Sequence, residues 1–279
     1  MRAVVLRPPF DGKWSAGDPF DHAARLAAGA NADQIRRDVE GRRTLRFELD
    51  DCGYYLKWQK GIGWGRIVGE VLRGRRPVLG AGDEWRAIEA CHALGVPTMN
   101  ALAYGERGSG WAHRESFLVT EAIEPAIDLD SYTREWEQNP PAPALKHALI
   151  RAVADIASTM HRNGLNHRDF YLCHFLLCTS PEPKPNQLKL AIIDLHRVQI
   201  RKATPPRWRD KDLAALYFSA LKIGLTTRDR LRFLRAYFGQ PLRTVLRDEA
   251  ATLRYLERES IRLVERFERK FAHRPDLQR

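Results

Sequence analysis

Two carboxylates, Asp169 and Asp194, bracket a stretch that constrains this chain more than any other feature. Asp169 stands in the string His167-Arg168-Asp169-Phe170-Tyr171-Leu172-Cys173-His174-Phe175-Leu176-Leu177. Before it, Leu145, Leu149, Ala152, Ile156 and Met160 recur at the spacing of one helix face, and Asn163-Gly164 supplies a helix stop. Asp169 is therefore expected in a loop just past a helix. Asp194 ends the apolar run Ala191-Ile192-Ile193. The segments 175–179 and 188–193, joined by the proline-rich run 180–185, predict a hairpin with one carboxylate outside each strand. Two carboxylates on loops beside one hairpin can converge on a point. Phosphoryl transfer needs that arrangement, with one orienting an acceptor hydroxyl and the other holding magnesium against a triphosphate.

The period of the apolar pattern changes along the chain. Asp18-Pro19 followed by Phe20, Ala23, Ala24 and Ala27 predicts a short capped helix. Leu45, Phe47 and Leu49 then alternate with Thr44, Arg46 and Glu48, as in a strand. Asp50-Asp51-Cys52-Gly53 makes a turn, and residues 54–58 a return strand ending near Lys57. Residues 60–80 are rich in glycine and basic residues and read as a loop. A helix from the Asp83 cap to Ala93 follows, then strands over 99–104 and 117–123 split by a polar loop, 105–115. Residues 124–143 read as a polar connector ending in Pro140-Pro141, and the rest as mainly helical. The expected organisation is an N-terminal lobe with an extension over 1–123, a hinge connector over 124–143 and a helical lobe over 144–279. The fold class is α+β, with a small antiparallel sheet in the first lobe. The C-terminal stripe Ile261, Val264, Phe267 and Phe271 is expected to pack on the helical lobe.

Composition narrows the partners. Lys and Arg number 46 against 35 Asp and Glu, for a net charge of +11 in 279 residues. A surplus of that size favours an anionic partner, be it a phosphorylated lipid, a nucleotide or an acidic protein. The four cysteines include no C-x-x-C pair, which fits a reducing cytoplasm, and His167, Cys173, His174 and Cys178 match no structural zinc spacing. The first ten residues do not read as a signal peptide, and no apolar run reaches the roughly 18 residues of a membrane span.

His-Arg-Asp after a capped helix, then a hairpin, then Asp-Leu-His resembles the catalytic loop and metal-binding segment of protein kinases. Other parts follow in the same order. Lys57 ends a hairpin strand where that family keeps its phosphate-binding lysine. Glu84 shares a helix face with Ile88 and Cys91, so it points inward and needs a cationic partner, for which Lys57 is the candidate. Residues 117–123, with Glu121 and Ile123, lie where the adenine-binding hinge belongs. Asp212 resembles the buried Asp that braces the catalytic loop from a later helix, with His167 as a bracing histidine.

The strings at 61–65, 167–177, 193–197 and 207–217 make the resemblance narrower. They are similar to the lipopolysaccharide core heptose(I) kinase family. That resemblance implies a cytoplasmic enzyme using ATP and magnesium, peripheral at most to the inner membrane. Its acceptor would be the first heptose of the inner-core glycolipid. It assigns Asp169 to the acceptor hydroxyl and Asp194 to magnesium. His174 stands five residues after Asp169 where protein kinases place a metal-binding Asn, and imidazole is a poor magnesium ligand. The glycine-rich phosphate loop is replaced by residues 40–44, with Arg42 and Arg43. Arg197, Arg201, Arg207 and Arg209 are candidates for gripping acidic groups of the acceptor. An acidic protein partner is compatible with the charge, whereas a nucleic acid leaves the two-Asp pattern unexplained. A kinase for another small-molecule or protein acceptor, and a pseudokinase scaffold, are the competing readings. The lack of an Ala-Pro-Glu string weakens the protein-kinase version, and the two intact carboxylates speak against the scaffold.

Overall fold

The computed structural model describes residues 2–39, 41–61, 80–109 and 113–272, together with Gly63, Gly69 and Leu72. Trp64 and most of the basic glycine-rich stretch lie outside the described residues, as does Glu40. The chain divides into two units. The first comprises Met1–His92, Thr98–Glu124 and Asp194–Arg197, and the second Ala93–Pro97, Pro125–Ile193 and Val198–Arg279.

The first unit is built on a six-stranded sheet of order β1-β5-β6-β4-β3-β2, antiparallel throughout. Its strands are β1 (Arg2–Leu6), β2 (Ile35–Val39), β3 (Arg42–Leu49), β4 (Cys52–Gln59), β5 (Ala101–Arg107) and β6 (Glu115–Glu121). Asp50 and Asp51, with φ of 51° and 59°, form the two-residue turn that joins β3 to β4. Left-handed backbone at both positions is what a tight hairpin of this kind demands, and Asp tolerates it better than most residues. The turn pairs Leu45 with Leu56 and Phe47 with Tyr54, all buried. Helices α1 (Phe10–Lys13) and α2 (Pro19–Gly29) lay Phe10, Trp14 and Phe20 against them. The Asp18 carboxylate accepts from the Phe20 N–H at 3.1 Å, and Pro19 opens the helix, as the sequence predicts. Phe20 meets Phe117 edge-on with ring centroids 5.1 Å apart. Helix α3 (Gly82–Ala93) buries Glu84, Ala87, Ile88 and Cys91.

Strands β1 and β2 are not legible in the sequence. They are the two edge strands, so neither alternates cleanly between a buried and a solvated face. β1 is exposed along nearly its whole length, and three of the five residues of β2 are charged. The polar loop expected over 105–115 is shorter than expected, because β5 runs on to Arg107 and β6 starts at Glu115.

In the second unit, β9 (Phe175–Cys178) and β10 (Leu190–Ile192) form the expected hairpin, with Leu190 opposite Leu177 and Ile192 opposite Phe175. A third strand, β7 (Ala126–Asp128), pairs with β9, and a helical turn, α4 (Leu129–Tyr132), follows it. The connector read over 124–143 thus carries structure of its own, capped by the Asp128 carboxylate accepting from the Ser131 N–H at 2.9 Å. The strand β8 (Leu165–Asn166) pairs with β11 (Gln199–Ile200). The helices are α5 (Pro143–Arg162), α6 (Pro206–Ser219), α7 (Thr227–Phe238), α8 (Leu242–Asp248) and α9 (Ala250–Lys270). Of the C-terminal stripe, Phe267 packs on Phe218 at 6.0 Å between centroids, whereas Ile261 is 55% exposed, contrary to the expected packing. Among the described residues no helix is long and apolar enough to cross a membrane.

Candidate active site

Side chains alternate along β4, so Lys57 leaves the face opposite to Leu56 and Tyr54, which enter the apolar core. Its ammonium donates to the Glu84 carboxylate at 2.6 Å and to Asp194 Oδ1 at 3.1 Å. Glu84 is 2% exposed on the inner face of α3. The inward Glu therefore has the cationic partner it requires. Asp194 takes a left-handed backbone with φ of 60°, and its Oδ1 also accepts from His196 Nδ1 at 2.7 Å. Burial by itself would raise the Asp194 pKa. The His196 hydrogen bond and the Lys57 charge outweigh it and hold the carboxyl well below the usual carboxylate range. Burial works against the Lys57 ammonium, but the charges of Glu84 and Asp194 outweigh it and push its pKa up. Both groups are thus charged at neutral pH. His196 escaped sequence reasoning as a functional residue. Its signal is the Asp-x-His spacing across a single 3-10 turn (Leu195–Arg197).

In the second unit the loop after α5 is anchored by Asp212, which is 1% exposed on α6. Its carboxylate accepts from the His167 N–H at 2.5 Å and the Arg168 N–H at 2.8 Å. His161 Nε2, 3.3 Å away, is a third donor, and its Nδ1 then accepts from the Tyr237 hydroxyl at 2.8 Å. Neither His161 nor Tyr237 stood out in the sequence, because their partners are 51 and 76 residues distant. Arg168 is held at φ of 75°, a conformation that is costly for a side chain of this size and is kept here by the two amide bonds to Asp212. His167, fully buried, donates from Nε2 to the Ile193 carbonyl at 3.0 Å, which ties the loop to the end of the hairpin. The Ile193 N–H donates to the His174 carbonyl at 2.9 Å. His174 commits Nδ1 to the Asp169 carbonyl at 2.6 Å and stacks on His167. Asp169 is half-buried.

Glu121 closes β6, where its N–H donates to the Asn100 carbonyl at 2.9 Å and its carboxylate accepts from Asn100 Nδ2 at 2.8 Å. Ile123 lies two residues beyond. Of the four arginines expected to face an anionic acceptor, Arg209 does not fit. Its guanidinium is taken up by Asp210 at 2.8 Å, Glu249 at 2.9 Å and the Thr252 hydroxyl at 2.8 Å, so it braces α6 against α9.

The expected contact of Lys57 with Glu84 and the expected bracing of the loop after α5 by Asp212 are both present. Residues 28–237 match the model of the lipopolysaccharide kinase (Kdo/WaaP) family. The chain belongs to this family. It is a kinase, with an α+β, protein-kinase-like fold. It is 53% identical over 266 residues to the lipopolysaccharide core heptose(I) kinase WaaP of Pseudomonas aeruginosa, across 95% of this chain and 97% of that protein. Its identity to the protein of the same name from Escherichia coli is 43% over 267 residues, across 96% and 99% of the two chains. A solved structure of WaaP in complex with acyl carrier protein superposes with a TM-score of 0.81 at 49% identity, covering 94% of this chain and 99% of that one. For a member of this kinase family, the Lys57–Glu84 pair is a direct target. A double-mutant cycle in thermal or urea unfolding with Lys57→Met and Glu84→Gln is expected to give a coupling of about 1–3 kcal/mol. Additive losses would mean that the two side chains do not act on each other.

Proposed function

We propose that this kinase transfers the γ-phosphoryl group of ATP to a hydroxyl of the first heptose in the lipopolysaccharide inner core. The observation that carries the acceptor is identity of 53% over nearly the full chain to a protein named for that activity. The Lys57–Glu84 pair and the ionised Asp194 support the nucleotide half of the reading.

In this account Lys57 gives its positive charge to the phosphates of ATP, and Glu84 fixes its direction. The Glu121 carbonyl and the Ile123 N–H take the adenine edge. Asp194 is an ionised oxygen donor, which suits magnesium, an ion commonly bound through one or two carboxylates and the substrate's own phosphates. His174 offers nitrogen, has Nδ1 engaged by the Asp169 carbonyl, and is not carried forward as a ligand. When bound, magnesium neutralises charge on the β- and γ-phosphates. Asp169 orients the acceptor hydroxyl and takes its proton as the oxygen bonds to the γ-phosphorus. The bond from that phosphorus to the bridging oxygen breaks, and ADP leaves. Turnover on a core lipopolysaccharide lacking heptose phosphate, read by mass spectrometry as one added phosphate, tests the acceptor. Asp169→Ala is expected to lower kcat by roughly 10²–10⁴ while leaving ATP affinity close to that of the unaltered protein. A variant that kept more than about half of its turnover would remove Asp169 from this role.

A second partner of this chain is proposed to be an acyl carrier protein, the class found with the solved relative. The net charge of +11 favours an acidic protein. The second unit also holds a cavity of about 380 Å³ with a mostly apolar lining that includes Leu149, Val153, Leu213, Leu216, Leu253 and Leu256. Its volume and lining suit an acyl chain. Leu216→Trp, which fills the cavity, is expected to weaken capture of an acylated carrier without changing the weaker capture of the unacylated carrier. Equal capture of both carrier forms by the unaltered protein would take the acyl chain out of the interaction.

A further inference from the structure

Four cationic side chains of the second unit surround one indole ring. Lys211 Nζ lies 4.9 Å from the Trp208 ring centroid, and the guanidinium carbons of Arg207, Arg201 and Arg168 lie at 5.3, 5.8 and 6.0 Å. They come from three places in the chain. Arg168 is in the loop pinned by Asp212, Arg201 follows β11, and Arg207 and Lys211 sit on the first turns of α6. The approach of Arg201 depends on Gly164, which has φ of 84°. A Cβ there would lie 1.8 Å from the Arg201 carbonyl oxygen, so no larger residue lets β11 come as close.

Such a gathering of like charge is unfavourable in itself. A cation over an indole recovers only part of that cost. Arg207 also occupies the positive end of the α6 dipole, whose first turn has no acidic residue. Among the described residues, no carboxylate pairs with Arg201, Arg207 or Lys211, although Arg209, on the same helix, has both Asp210 and Glu249. Arg201 is oriented by neutral acceptors, the side-chain oxygens of Asn166 and Gln199, each at 2.5 Å. These bonds fix the guanidinium without neutralising it. Arg201, Arg207 and Lys211, compact and without a pairing carboxylate among the described residues, are complementary to an oxyanion.

We infer that the cations around Trp208 form an oxyanion subsite that holds a carboxylate or phosphate of the acceptor glycan while its hydroxyl meets Asp169. The inference rests on the acceptor reading above and adds to it the residues that hold the acceptor in place. Arg168 is the chain neighbour of Asp169, and the Asp212 carboxylate fixes the Arg168 amide. One anchor therefore sets both the subsite and the proposed base.

The test uses the full-length protein with Arg207→Gln and Lys211→Gln, singly and together, both at exposed side chains. With ATP and core lipopolysaccharide, the double variant is expected to raise the acceptor KM roughly tenfold or more, the scale of a lost charge-assisted contact. The ATP KM and kcat are expected to move less than about twofold. Arg207→Lys is expected to recover part of the acceptor affinity, because it restores charge but not the fork. Independently of turnover, calorimetric titration with inorganic phosphate and with glucuronate is expected to show binding of at least one anion to the unaltered protein and its loss in the double variant. The stronger binder identifies whether the subsite reads a phosphate or a sugar acid. Lack of any turnover by the unaltered protein on the lipopolysaccharide would defeat the acceptor reading, while the anion titration still decides the subsite. An unchanged acceptor KM in the active double variant, or binding of neither anion, overturns the inference. So does loss of acyl-carrier-protein capture with the acceptor KM unchanged, which would make this a protein-docking surface.

Discussion

The first unit is organised around the Lys57 ammonium, which sits between the carboxylates of Glu84 and Asp194. Glu84 is almost completely shielded from water, and an ionised carboxylate in that position is tolerable only with a close cation. The pair therefore fixes α3 against β4 at one register. Slipped by one residue, β4 would send Lys57 into the aromatic core and leave Glu84 buried without its partner. Such a pair is a weak source of net stability, because desolvation consumes most of the attraction. Its value lies in specifying one arrangement in which a lysine is charged, held in direction and still more than a quarter exposed.

Asp212 plays the corresponding part in the second unit by different means. It accepts from two consecutive backbone amides and from His161, and the Tyr237 hydroxyl extends the chain of bonds to α7. A carboxylate that collects several donors stays ionised and rigid. The strained backbone at Arg168 follows from that grip, and the strain sits one residue before Asp169. The hairpin contributes through His167 and Ile193, whose bonds tie the loop after α5 to the strand that leads into Asp194.

Much of this was legible in the sequence, and the reasons differ from one element to another. The β3–β4 hairpin announced itself through alternation and the Asp-Asp turn. Helix α3 announced itself through its apolar spacing, in which Glu84 was conspicuous as an inward charge. Asp169 and Asp194 were singled out from local context, each beside the same hairpin, and Asp212 from its likeness to a bracing aspartate. The contributions of His161, Tyr237 and His196 were not found, because a buried histidine has no periodic signature and its partners are set by tertiary packing. Edge strands β1 and β2 lacked alternation, having little core to face. Arg209 was misread because charge on a helix face does not reveal whether carboxylates from a later helix will neutralise it. Trp208 had no reading of its own in the sequence, and the convergence of Arg168 and Arg201 on it depends on the β8–β11 pairing and on Gly164.

We propose that the ionised Asp194, steadied by Lys57 and His196, holds the nucleotide's magnesium. The most direct test is calorimetric titration of ATP with and without magnesium, on the unaltered protein and on Asp194→Asn. In the unaltered protein magnesium is expected to tighten ATP binding. In Asp194→Asn that gain is expected to disappear, while weak metal-free binding through Lys57 persists. A magnesium gain of the same size in both proteins would contradict the account and place the metal on other ligands.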